Sequence, residues 1–124
     1  MSPQLLVVSR DAMLLQTRQL ILGAFFHADC AGRVREAEAL MSSRQYDLVI
    51  LCYTLSERER LKIIELAAGQ MRRPRILILT PAGMPPSEPA PGDATMSEAG
   101  PYYLLKKSAD MLGIEIQATK MVGV

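Results

Sequence analysis

The sequence predicts an α/β domain in which a parallel sheet carries helices on both faces. Three observations support this. Short apolar runs recur within residues 5–8, 47–52 and 75–80, as strands buried on both faces require. Between them, apolar residues return at helical spacing. The chain is 124 residues long, the size of one domain around one core.

Leu5-Leu6-Val7-Val8 is the first strand, and Leu14/Ile21 with Leu15/Leu22 mark a helix from about Asp11 to Gly23. Phe25-Phe26-His27-Ala28 reads as a weaker second strand whose polar content suits an edge. Val34, Ala37 and Met41 form the stripe of a second helix, and Asp47 opens the third strand, which runs to Cys52. Ser56-Glu57-Arg58-Glu59 is a capping box that starts a third helix, with Leu61, Ile64, Ala68 and Met71 as its expected apolar face. Arg75 to Thr80 is the fourth strand. Five prolines between Pro81 and Pro91 then remove amide donors and stop helices. That stretch reads as a surface loop or a partner-binding segment, followed by a short turn over 93–99. Tyr102-Tyr103-Leu104-Leu105 reads as the last, edge strand. A final helix is expected from near Ser108, with Met111, Ile114 and Ala118 on one face and Gly113 inside it at a cost of ~1 kcal/mol relative to alanine.

Composition excludes several classes of function. Charged residues make up 22% and hydrophobic ones 49%, which argues against disorder, and the net charge of +1 supplies no field for nucleic acid or membrane. Aromatic residues are 5% with no tryptophan, so a base-stacking platform is not expected. No apolar run approaches the ~18 residues of a membrane span, and the N-terminal apolar stretch is too short for a signal peptide. Two cysteines, Cys30 and Cys52, make no disulfide framework, so a reducing cytoplasm is the expected compartment.

In sheets of this kind the working site lies beyond the carboxyl ends of the strands. The residues there are Ser9-Arg10-Asp11, Cys52-Tyr53, Thr80-Pro81 and Lys106-Lys107. Together with Tyr46-Asp47-Leu48-Val49-Ile50-Leu51-Cys52, Ile76-Leu77-Ile78-Leu79-Thr80 and Tyr103-Leu104-Leu105-Lys106, they resemble the response-regulator receiver (CheY-like) family over about residues 5–120. The resemblance implies a flavodoxin-like, doubly wound five-stranded sheet of order 2-1-3-4-5, with a degenerate fourth helix in the proline-rich stretch. It also implies a role in two-component phosphorelay signalling, with a histidine kinase, another regulator or a second copy as protein partner.

The family's chemistry carries over only in part. A working receiver uses two acids to hold Mg²⁺, an aspartate to accept the phosphoryl group, and a hydroxyl and a lysine to neutralise it. Here the acid pair falls on Ser9 and Arg10 and the phosphoacceptor on Cys52, while Thr80, Tyr103 and Lys106 match the hydroxyl, aromatic switch and lysine. Asp11 is acidic but one position late. Mg²⁺ needs hard oxygen ligands, and Arg10 would repel it. A thiol forms no acyl phosphate. The expectation is therefore a stand-alone, non-enzymatic pseudo-receiver without metal, with no DNA-binding or membrane role, that acts by protein contact.

A second reading is a thiol- or anion-responsive sensor. Arg10 and Lys106 would lower the thiol pKa of Cys52, and with Thr80 they would bind phosphate or sulfate. Against it, Cys52 also reads as a small apolar filler. A Cys30–Cys52 disulfide is disfavoured because order 2-1-3 puts a strand between them. The single histidine, His27, lacks companions for zinc or for a catalytic triad. Ser9-Arg10-Asp11-Ala12-Met13 lacks the phosphate loop that flavin mononucleotide requires.

Overall fold

In a strand, successive side chains point to opposite faces, so an unbroken apolar run supplies two faces at once. The computed structural model describes residues 3–81, 93–97 and 100–114. Its strands are β1 (Gln4–Val8), β2 (His27–Ala31), β3 (Leu48–Leu51), β4 (Arg75–Thr80) and β5 (Ala94–Ser97). Its helices are α1 (Ala12–Gly23), α2 (Val34–Ser43), α3 (Glu57–Ala68) and α4 (Pro101–Leu112). Every strand pair is parallel, and the order is β2-β1-β3-β4-β5, as expected.

Leu5, Val7, Leu48, Ile50, Leu77 and Leu79 face one side, where Leu22 and Phe26 of the α1 region and Leu104, Leu105 and Ala109 of α4 cover them. Leu6, Val8, Val49, Leu51 and Ile76 face the other, under Ala37 and Met41 of α2 and Ile63 and Ala67 of α3. At the amino edge of the sheet two acids tie off strand ends. Asp47 accepts from the Gln4 amide at 2.7 Å and from Arg72, and Asp93 accepts from the Ile76 amide at 2.9 Å and grips Arg73 with both oxygens.

Five expectations are corrected. The fifth strand is Ala94–Ser97, in the stretch read as a turn, and it pairs with β4 from Leu77↔Ala94 to Thr80↔Ser97. Tyr102 to Leu105 instead opens α4: Gly100 at φ 105° and Pro101 in the first turn start the helix, and Leu104, Leu105, Ser108 and Ala109 are buried at helical spacing. A four-residue apolar run fits either element, and here the helical neighbours decide. That helix stops at Leu112, and Gly113 is its left-handed C-cap at φ 70° and not an interior residue; Ala118 lies outside the described residues.

The second strand starts later than expected. Phe25 and Phe26 donate their amides to the Leu22 carbonyl, at 3.1 and 2.8 Å, and so finish α1. Finally, α3 is turned so that Ile63 and Ala67 are buried, whereas Leu61 is 54% exposed and Met71 fully so. The degenerate fourth helix was placed in the proline-rich stretch, and residues 82–92 lie outside the described residues.

Candidate functional site

At the carboxyl edge of the sheet, the Ser9 amide donates to the Ala31 carbonyl at 3.1 Å and the Cys52 amide to the Val8 carbonyl at 3.0 Å. These bonds carry the ladders one residue past β1 and β3, so Ser9 and Cys52 are fixed side by side where sequence reasoning placed them. Both are fully buried. Asp11 is turned outward as the N-cap of α1, its Oδ1 accepting from the amides of Met13 and Leu14 at 2.9 and 3.1 Å.

Cys52 has a neighbour that sequence reasoning missed. Arg18 stands on the inner face of α1, only 4% exposed, and its Nη1 donates to the Cys52 sulfur. A guanidinium cannot shed its proton at ordinary pH, so this is a fixed cation inside the core against the thiol. The signal was present. Arg18 is four residues from both Leu14 and Leu22, in the middle of the stripe that sequence reasoning assigned to the core.

A polar cluster ties the loop after β1 to the loop after β3. The Ser9 and Thr54 hydroxyls are 3.0 Å apart, the Arg10 amide donates to Thr54 Oγ1 at 2.9 Å, and the Asp11 amide donates to Ser9 Oγ at 3.1 Å. Arg10 spans the gap to α3, its Nε and Nη2 reaching Glu59 Oε2 at 2.8 and 2.6 Å. The other oxygen of Glu59 accepts the Ser56 amide at 2.9 Å, while Ser56 Oγ accepts the Glu59 amide at 3.2 Å. One carboxylate thus closes the capping box and neutralises Arg10. The Arg10 hydrogen bond, followed by the Ser56 backbone, holds the Glu59 carboxyl below its ordinary value.

The remaining expected site residues are committed elsewhere. Thr80 Oγ1 donates to the Met96 carbonyl at 3.3 Å across the β4–β5 pair. Tyr103 lies on α4, 58% exposed, with its ring edge-on to Tyr102 at 5.4 Å. Lys106 is also on α4, one turn before Asp110, at 3.8 Å from its carboxylate. Arg10, Thr80 and Lys106 thus each have a partner on a different element, and the cation that meets Cys52 is Arg18.

Mg²⁺ does not suit this edge. The positions that would ligate it hold a hydroxyl shared with Thr54, a guanidinium bound to Glu59 and a thiol under a second guanidinium. Among the described residues no three His, Cys, Asp or Glu side chains group within metal-binding reach. Cys30 and Cys52 form no disulfide, and β1 lies between their strands. Burial, then the charge of Asp29, pushes the Cys30 thiol up to about 11. His27 is exposed at the β2 edge, 3.1 Å from Asp29 and 3.2 Å from Arg44. None of the helices among the described residues is long and apolar enough to cross a membrane.

No protein-family profile and no curated protein sequence matches the chain. Solved structures do. A response regulator receiver protein from Burkholderia phymatum is 20% identical with a TM-score of 0.71, covering 91% of this chain and 97% of its own. A CheY-like receiver domain from Methylobacillus flagellatus is 17% identical with a TM-score of 0.73, covering 90% and 99%. The chemotaxis protein CheY4 of Vibrio cholerae is 18% identical with a TM-score of 0.71, again covering 90% and 99%. The chain shares their fold, a five-stranded parallel sheet of order 2-1-3-4-5.

Proposed function

We propose that this chain is an atypical receiver-type signalling module in two-component phosphorelay signalling. It acts by protein–protein contact, with a histidine kinase, another regulator or a second copy as its partner, and it is not phosphorylated through aspartate and Mg²⁺. The observation that carries this reading is the Arg18–Cys52 contact. Phosphorylation at this edge requires a carboxylate that is open to a phosphodonor and flanked by a divalent cation. Cys52 offers a buried thiol whose near space is filled by a guanidinium of this same chain. The Arg10–Glu59 pair supports the same reading, because it places a satisfied cation where metal ligands would stand.

The test is titration of the full chain with beryllofluoride and Mg²⁺, following the backbone amides of Ser9, Cys52, Thr54 and Thr80. Unchanged shifts at saturating concentrations are expected. A Mg²⁺-dependent shift centred on Cys52 would overturn the reading and make the chain a working phosphorylation switch.

The same contact favours a second reading, a thiol-responsive module with Arg18 in the place first given to Arg10 and Lys106. A buried guanidinium stabilises thiolate over thiol, which is how reactive cysteines are activated. Thiolate absorbance that belongs to Cys52, present at neutral pH and lost in Arg18→Met, would support it. Its absence would leave Cys52 as apolar filler.

A further inference from the structure

A surface helix of a globular domain is ordinarily apolar on its inner face and charged on its outer one. Helices α2, α3 and α4 follow this, with Glu38, Lys62 and Lys106 among the charged groups on their exposed sides. Helix α1 does not. Its one charged residue, Arg18, is turned into the core against Cys52, so no charge is left on its solvent side. In that place stand Met13 and Leu20, 76% and 71% exposed. They are seven residues apart with exposed Gln16 between them, which lines the three up along the middle of the outer face. A helix that is apolar on both sides is one that buries both sides.

The row ends in a gap. Gly23 continues it three residues after Leu20, and a side chain there would meet nothing within 4 Å. Met13, Gln16, Leu20 and Gly23 thus follow the three-four-three spacing of a two-helix seam. Laid antiparallel on its own copy, this row sets Met13 over Gly23 of the second chain and Leu20 beside its Gln16. Each pairing then occurs twice, a long side chain meeting a gap and an apolar one meeting an amide stem.

We propose that the outer face of α1 is a self-association surface on which a second copy of this chain seats its own α1 antiparallel. A twofold contact presses one patch against itself, so any charge near the axis would meet its like. A face stripped of charge meets that requirement. It offers no counter-charge to an acidic or basic partner, and it lacks the Lys and Arg of a helix that lies on a membrane. One helix of ~18 Å is a small interface, which sets the expected Kd at roughly 0.1 mM. The inference selects the second copy among the partners proposed above but stands on α1 alone. The beryllofluoride titration and the measurement of association therefore fail independently.

The test is sedimentation velocity of the full chain from about 5 μM to about 1 mM, with amide spectra recorded over the same range. A dimer that grows with concentration is expected, with concentration-dependent shifts confined to α1 and its flanks. Met13→Lys and Leu20→Lys are each expected to weaken association roughly tenfold or more without moving the urea midpoint, because both side chains are exposed. Leu61→Lys, an exposed apolar position on α3, is expected to leave association unchanged. Raised salt is expected not to weaken it, since no charges meet. A chain that stays monomeric to the top of the range would overturn the proposal. So would a dimer indifferent to Leu20→Lys, or one weakened equally by Leu61→Lys.

Discussion

Arg18 shows how one side chain alters the chemistry of an otherwise conventional edge. Its stem packs inside α1 and its guanidinium meets Cys52 with almost no solvent contact. Arg18→Ala loses both the stem and the charge and is expected to cost roughly 2–5 kcal/mol in urea unfolding. Arg18→Met restores most of the packing, so the loss that remains in that variant measures the charged contact, and the difference between the two variants measures the stem. Cys30 sets a pH dependence. Its folded thiol titrates near 11 against an ordinary value of 9.0, so the folded state keeps its proton where the unfolded chain has lost it. This contribution is complete below about pH 9 and is lost as pH rises toward 11. Urea midpoints measured across that window should fall, and Cys30→Ala should flatten the slope.

Helix α3 shows what the helical period leaves open. Leu61, Ile64, Ala68 and Met71 make a plausible stripe, but the helix is turned to bury Ile63 and Ala67. Ser56 and Glu59 fix where the helix begins, and the polar cluster from Ser9 to Glu59 fixes how that first turn sits against β1. Ile63→Ala should cost roughly 2–5 kcal/mol, whereas Leu61→Ala at 54% exposure should stay within about 0.5 kcal/mol. Equal losses would return Leu61 to the core face. The end of the chain teaches the same lesson. Tyr102 to Leu105 is apolar enough for a strand, and only the burial of Leu104, Leu105, Ser108 and Ala109 on one face makes it a helix.

At the scale of the molecule, the central strand must be apolar on both sides because helices cover both sides. Val49 and Ile50 are neighbours on β3, both fully buried, and belong to opposite halves of the core. Val49→Ala and Ile50→Ala should therefore each lower stability by more than about 1 kcal/mol in thermal or urea unfolding. In a sheet with one wet face, only one of the two would register.

The sequence by itself determined the fold class, strands β1, β3 and β4, the placing of helices α1, α2 and α3, the capping box, and the positions of Ser9, Arg10 and Cys52 at one edge. Each of these is written in a local pattern, whether an apolar run, a helical period or a cap spacing. Only the tertiary structure decided that the last strand is Ala94–Ser97, that Tyr103 and Lys106 ride on a helix, and that Arg18 is the cation on Cys52. A short half-buried edge strand has no periodicity strong enough to announce itself. The Arg10–Glu59 and Arg18–Cys52 contacts join residues 49 and 34 positions apart, a separation no local pattern encodes. Such pairs exist only once the sheet has brought its strand ends together.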